Sequence, residues 1–235
     1  MSDLIGLQTL QHLSSAKSFN RWLIEKIEPH LQDPILEVGS GIGNLTEILI
    51  EKNYKITATD IDPEYIEILK NKFTAVASNI EVKKMDINES DPSSHVKYKS
   101  ILLINVMEHI EEDKNTLINL SNLLDKDGKI IVLVPAYKWL YNPLDKNLGH
   151  FKRYGKDELK QMLRSAGYKI VNVSSFNMMG ILGWFFWGSI LRKKQLSKLV
   201  TTTYEWLMPI NRITDRVFMS RVGLSVIAIA QKNAD

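Results

Sequence analysis

The chain has 235 residues, 44% of them hydrophobic and 24% charged, with a formal net charge of +3 and no cysteine. That length buries a core without staples, and the lack of cysteine excludes disulfides, thiolate nucleophiles and cysteine zinc sites. The small charge excess forms no concentrated basic stripe, which argues against a nucleic-acid substrate; no signal-peptide pattern opens the chain and no apolar run reaches the roughly 20 residues needed to span a bilayer, so a cytoplasmic location is expected.

Ser14 and Ser15 are placed to cap a helix over about Ala16 to Leu31, with Trp22, Leu23 and Ile27 on one face. Pro34 leads into a first strand, Ile35 to Val38, followed by Gly39-Ser40-Gly41-Ile42-Gly43 and a helix over Leu45 to Glu51. A second strand, Lys55 to Thr59, ends at Asp60, and Asp62 with Pro63 opens a helix to about Asn71. Ile80 to Met85 forms a third strand ending at Asp86. Ile101 to Asn105 is a nearly all-apolar fourth strand of the kind covered on both faces. A helix over about Asp113 to Leu124 follows, then a turn at Asp127-Gly128 into a fifth strand, Lys129 to Val134. Asp157 to Ala166 is helical and Gly167 terminates it. Tyr168 to Ser174 and Leu224 to Gln231 complete the strands. This alternation predicts an α/β fold with a doubly wound, mostly parallel sheet. One domain is expected over 1–235, with a helical cap at 1–33, a cofactor-binding core at 34–175, an apolar and basic helical insert at 176–221 and a final strand at 222–235.

The glycine turn is the most informative segment. An apolar strand carrying Glu37 runs into alternate glycines and then a helix start, where bare backbone and free N–H groups can meet a nucleotide-like ligand. Asp60 lies about 20 residues beyond the turn, where doubly wound folds place an acid on ribose hydroxyls. Asp86 ends the next strand, within reach of an exocyclic amino group. The glycines alternate as Gly39, Gly41 and Gly43, which departs from the G-x-G-x-x-G spacing of dinucleotide dehydrogenases.

Glu37-Val-Gly-Ser-Gly-Ile-Gly43, Asp60, Asp86 and Asn105-Val-Met-Glu-His-Ile110 resemble the ordered motifs of class I S-adenosylmethionine-dependent methyltransferases. The resemblance covers roughly Trp22 to Ser174, and the final strand also fits. It implies a Rossmann-like seven-stranded sheet with the last strand antiparallel, and S-adenosyl-L-methionine as cofactor, leaving as S-adenosyl-L-homocysteine. It further implies that Glu37 and Gly39 face the methionine part and that Gly41 and Gly43 let the cofactor pass. Asp60 would bind ribose, Ile61 would pack on adenine, Asp86 and Ile87 would read its edge, and Asn105 would lie near the sulfonium. Phe19-Asn-Arg-Trp22 and Leu148-Gly-His-Phe-Lys-Arg-Tyr154 resemble a narrower subgroup associated with glycans and secondary metabolites, which adds Trp22 to the cofactor-binding set. One departure from the pattern is Lys99-Ser100, where an acid usually precedes the fourth strand.

Methyl transfer is an in-line displacement in which positioning does much of the work, and a hydroxyl acceptor also needs a base. His109 and His150 are the candidates, because both follow strands at the cofactor edge. Tyr137, Tyr141, Arg153 and Tyr154 are the candidate acceptor-binding residues, with Arg153 suited to an anionic group. No histidines recur at metal-ligand spacing, so no metal is expected. The reading is methyl transfer to a small-molecule, glycan or lipid-linked acceptor at oxygen; an N-methyltransferase or a non-catalytic cofactor-binding protein are the alternatives. Met178 to Leu191 carries four consecutive aromatic residues, Trp184 to Trp187, and runs into Arg192-Lys193-Lys194. A lid on the acceptor pocket, a homodimer interface and a peripheral membrane contact through 178–194 all fit this pattern.

Overall fold

The computed structural model describes residues 4–14, 16–76, 78–87, 96–195, 197–218 and 220–233. Seven strands form one sheet: β1 (Ile35–Val38), β2 (Ile56–Asp60), β3 (Ile80–Lys84), β4 (Tyr98–Ile104), β5 (Leu124–Pro135), β6 (Tyr168–Phe176) and β7 (Ser225–Lys232). Their order is β3-β2-β1-β4-β5-β7-β6, and β7 runs antiparallel to both neighbours. This is the doubly wound seven-stranded sheet that the methyltransferase resemblance implies.

Alternation along β4 divides the core. Ile101 and Leu103 point to one face, where Leu117 and Leu120 of α5 (Asp113–Leu123) and Leu159 and Leu163 of α7 (Lys156–Ser165) pack. Leu102 points to the other, against Leu23, Ile24 and Ile27 of α2 (Lys17–Ile27) and Ile48 and Leu49 of α3 (Asn44–Glu51). Each such fully buried side chain contributes roughly 1.5–3 kcal/mol. A smaller cluster joins Ile66 and Leu69 of α4 (Pro63–Lys72) to Phe73. Asp62 caps α4 by accepting from the Glu64 N–H, which leaves Asp60 to other work.

Several expectations shift. The segment before β1 holds two helices rather than one, because α1 (Leu4–Ser14) precedes α2. Ser14 belongs to α1 and Ser15 lies outside the described residues. The first turn of α2 is held from far along the chain instead, where the Glu205 carboxylate accepts from the Ser18 and Phe19 N–H groups, both at 3.0 Å. Asp127-Gly128 is no turn: β5 begins at Leu124, and its pairing with β4 slips between Tyr98 and Ser100, so the extra residues form an irregularity inside the strand. Ser100, at the position that departs from the family pattern, bonds both the N–H and the C=O of Gln32 through its hydroxyl.

The insert between β6 and β7 is helical. It comprises α8 (Met178–Trp184), a π-helical stretch over Phe185–Ile190, α9 (Lys198–Trp206) and α10 (Met208–Val217). The Asp215 carboxylate of α10 accepts from the N–H groups of Asn177 and Met178 and so closes the start of α8. The connection from β5 to α7 carries the short α6 (Pro143–Asn147), whose capping box pairs Asn142 with Asp145. Among the described residues, no helix is long and apolar enough to cross a membrane.

Candidate active site

The strand order places the carboxyl ends of β3, β2, β1 and β4 side by side, so Asp86, Asp60, Glu37 and Asn105 share one edge of the sheet. Gly39, Gly41 and Gly43 all take positive φ, between +53° and +76°. At Gly41 a Cβ would stand 2.8 Å from a Leu10 methyl carbon, so α1 roofs the turn. The Asn44 side-chain amide secures that roof by donating to the Leu10 carbonyl at 3.0 Å.

Two carboxylates lie under this turn. Glu37 is buried, and its Oε2 accepts from the Thr46 hydroxyl at 2.5 Å. Burial, opposed by the bond from Thr46 and reinforced by the nearby Asp60 charge, pushes its carboxyl up to about 7. Asp60 accepts from the Gly41 N–H at 2.9 Å and the Asp62 N–H at 3.0 Å. Burial raises its carboxyl too, against those backbone bonds. A buried acid whose proton affinity burial and a neighbouring carboxylate raise favours a cationic ligand, and a sulfonium cofactor supplies that charge. The cradle therefore fits S-adenosylmethionine. Ile61, next in line, is 56% exposed and offers an apolar face beside Asp60. Asp86 and Ile87 are half-buried just beyond β3, and Asn105 is exposed with φ +55°.

Trp22 is not part of this cradle. Its ring packs 4.1 Å from Phe176 and against Phe19, within the core on the α2 face of the sheet. An amphipathic helix buries its largest apolar residue against the sheet, and α2 does so here.

A second cluster joins the loop after β4, the connection after β5 and α8. His109 follows β4 and His150 follows β5, and their rings meet edge to face at 4.8 Å. His150 Nδ1 lies 2.9 Å from Asp145 Oδ1. The same carboxylate accepts from Arg153 Nε at 2.8 Å, the Asn142 N–H at 3.0 Å and Trp184 Nε1 at 3.2 Å. Burial would raise the Asp145 carboxyl, but the bonds and charge from His150 and Arg153 outweigh it and hold the group below its ordinary value.

Arg153 and Tyr154 do not line a pocket. Each is 1% exposed. Arg153 spends its donors on Asp145 and the Ala136 carbonyl, and its guanidinium stacks 4.9 Å from the Trp184 ring. Tyr154 donates to the Met107 carbonyl at 2.9 Å and lies 3.2 Å from Asp113. Both serve as internal struts, since a buried guanidinium must meet a carboxylate to offset its desolvation. Tyr141 is 40% exposed and donates to the His150 carbonyl at 2.7 Å, while Tyr137 is half-buried at φ +61°. The four aromatic residues divide two by two. Trp184 and Trp187 are half-buried, with their indole N–H groups bonded to Asp145 and the Gln195 carbonyl, and Phe185 and Phe186 are exposed.

Three residues of this site carried no role in the sequence reading. Asp145 sits in Asn142-Pro-Leu-Asp145, a capping-box pattern visible in the sequence, but its ties to His150 and Arg153 are tertiary. Thr46 and Leu10 reach the cradle only through the fold. Beside the two histidines, Glu108 is wholly buried, and burial pushes its carboxyl up to about 8. An open cleft of about 700 Å³ is bordered by His12, Asn147, Trp187, Lys193, Lys194 and Lys198, and by none of the cradle residues, His109 or His150.

A family model of methyltransferase domains matches residues 9–173. A probable polyketide synthase of Dictyostelium discoideum is 26% identical over 157 residues, covering 56% of this chain and 6% of that protein, so the chain spans a small fraction of its curated relatives. The fold also matches an S-adenosylmethionine-dependent methyltransferase from Archaeoglobus fulgidus, with TM-score 0.63 and 17% identity over 92% of this chain and 94% of that one. A second such enzyme, from Clostridium acetobutylicum, matches with TM-score 0.59 and 16% identity, covering 92% of each chain. With the family match over most of its length and the cradle described above, the chain belongs to the class I S-adenosylmethionine-dependent methyltransferases.

Proposed function

We propose that this methyltransferase acts on a hydroxyl oxygen of a small-molecule, glycan or lipid-linked acceptor. The observation that carries the reading is the Asp145–His150 pair. With Nδ1 held 2.9 Å from a carboxylate kept ionised, the imidazole is fixed in orientation and its Nε2 is left to take a proton. A neutral amine acceptor needs no such base.

The bound cofactor supplies a methyl group on a positively charged sulfur. Glu37 would face the charged methionine part of that cofactor and Asp60 its ribose. An acceptor hydroxyl held in line with the methyl group would give its proton to His150 Nε2 as the methyl passes to its oxygen and S-adenosylhomocysteine leaves. Asp145 stabilises the imidazolium that results, in the manner of carboxylate–histidine pairs elsewhere. The likeness to polyketide synthases agrees with a small-molecule acceptor.

The insert supports presentation of that acceptor at a lipid surface. Trp206 is 85% exposed, and Ile210, Ile213 and Val217 continue its apolar face along α10. The insert's two acids, Glu205 and Asp215, are both engaged as helix caps, and of its basic residues Arg212 pairs with Glu25 while Arg192, Lys193 and Lys194 are exposed. Apolar exposure rimmed by basic residues matches an anionic bilayer. Co-sedimentation with phosphatidylglycerol vesicles tests this: wild type should pellet and Ile213→Asp should not, whereas a supernatant-only wild type removes the membrane reading. The oxygen assignment is tested by single-turnover rates with labelled methyl donor across a panel of hydroxyl and amine acceptors. His150→Ala should slow hydroxyl methylation by about 10²–10⁴-fold, and preferential amine methylation indifferent to His150 would overturn it.

A further inference from the structure

We propose that Glu108, His109 and His150 form a binding site for a divalent metal ion of the class that accepts imidazole and carboxylate together, Mn²⁺ or Zn²⁺. One ligand atom from each of the three residues lies within 4.8 Å of the others, and His150 Nε2 stands 4.0 Å from Glu108 Oε1. Bonds of about 2.0–2.2 Å to a shared ion place ligand atoms up to roughly 4.3 Å apart, so a small inward movement of the rings closes the site. The ligands come from the ends of two different strands, which is why their spacing along the chain gives no metal signature.

Glu108 points to a ligand independently of that clustering. Its side chain is wholly buried, yet among the described residues neither of its oxygens accepts a hydrogen bond. Buried carboxylates otherwise find partners, and an orphaned one marks an ion or group that completes it. The outer shell is already built. Asp145 receives Nδ1 of His150 at 2.9 Å, which turns Nε2 toward Glu108, and Arg153 and the Asn142 N–H hold Asp145 in turn. A carboxylate behind the second ring nitrogen is the usual support of a metal-bound histidine. The Phe151 N–H bonds the Glu108 carbonyl at 2.8 Å, so the two ligand-bearing loops are tied together at the backbone. His109 is exposed, which gives the ion a route in. An ion held by Nε2 would replace His150 as the means of activating the acceptor: two imidazoles and one carboxylate leave coordination positions open, and a hydroxyl bound there would be acidified by the metal instead. That last role rests on the oxygen acceptor proposed above; the binding itself does not.

The test is calorimetric titration of the metal-stripped full chain with Mn²⁺ and, separately, Zn²⁺. One ion per chain is expected. Glu108→Gln, which keeps the buried shape, should weaken binding by about 100-fold, and so should His109→Ala on the exposed rim, where folding is not at stake. No binding at millimolar metal, or binding unchanged in both variants, overturns the proposal. Methyl transfer separates it from the acceptor reading. If no ion binds while His150→Ala still stops hydroxyl methylation, the metal site falls and the base stands. If the ion binds as described but hydroxyl methylation is indifferent to His150→Ala, the acceptor reading falls and the metal site stands.

Discussion

The two halves of the active edge are built by different means. The cofactor half sits on one continuous run from Glu37 to Thr46 plus the ends of the neighbouring strands, and its bonds are short-range or between adjacent strands, such as Asp60 to Gly41. The half proposed to serve the acceptor gathers Glu108, Asp145 and His150, with Arg153 and Trp184 bracing Asp145, from loops and an insert distant in sequence. A turn fixed by glycine φ angles can serve any acceptor, whereas a buried ion network is specific to its own insert. Cofactor binding and acceptor chemistry should therefore fail separately when each half is disturbed.

The largest effect is expected at Arg153. Arg153→Met breaks a buried ion pair, leaving Asp145 only the bonds from His150, Asn142 and Trp184, and should cost about 3–5 kcal/mol of stability. Chemical denaturation reads this directly, and the fraction still folded should bind S-adenosylhomocysteine normally. If Arg153→Met instead weakened cofactor binding in the folded state, the two halves would not be independent.

Asp60→Ala comes next. It removes two charge-assisted bonds, to Gly41 and Asp62, along with the acid that meets ribose, and should weaken S-adenosylhomocysteine by about 100-fold at small cost to stability. Equilibrium dialysis measures it.

Glu37 sharpens the comparison through pH. Its carboxyl is raised to about 7 in the folded chain. The folded state thus keeps a proton that the unfolded chain releases near its ordinary value of 4.5. The associated stability is complete below that value and is lost as pH rises through about 7. A cationic cofactor reverses the preference, so binding near pH 6 should release close to one proton, and affinity should fall about tenfold per unit below pH 7. Calorimetry in two buffers of different ionisation enthalpy counts the proton, and no proton release would contradict a charged contact at Glu37.

The smallest effect is expected at Glu205. Glu205→Gln should weaken the first turn of α2 by about 1 kcal/mol, a shift of a few degrees in Tm, with cofactor and acceptor binding unchanged.

The same contrast explains what could be read from residues alone. The strands, the glycine turn, Asp60 and the Asp62 cap follow from local periodicity and turn chemistry, so the sheet and its cofactor edge were legible. Arg153 and Tyr154 looked like acceptor contacts because charged and phenolic groups in a loop are usually exposed; only the fold shows Asp145 and Met107 waiting beneath them. Trp22 followed a family pattern, but the register of α2 turns it onto Phe176. Glu205 capping α2 from across the chain has no local signal, and neither does Glu108 standing opposite His150.

The most direct test is a calorimetric titration of S-adenosylhomocysteine into wild type, Asp60→Ala and His150→Ala, followed by single-turnover methyl transfer for each. Near-wild-type binding with lost turnover in His150→Ala, and lost binding in Asp60→Ala, is the predicted result. Equal loss of binding in both variants, or no binding to wild type, would contradict a cofactor cradle that stands apart from the acceptor chemistry.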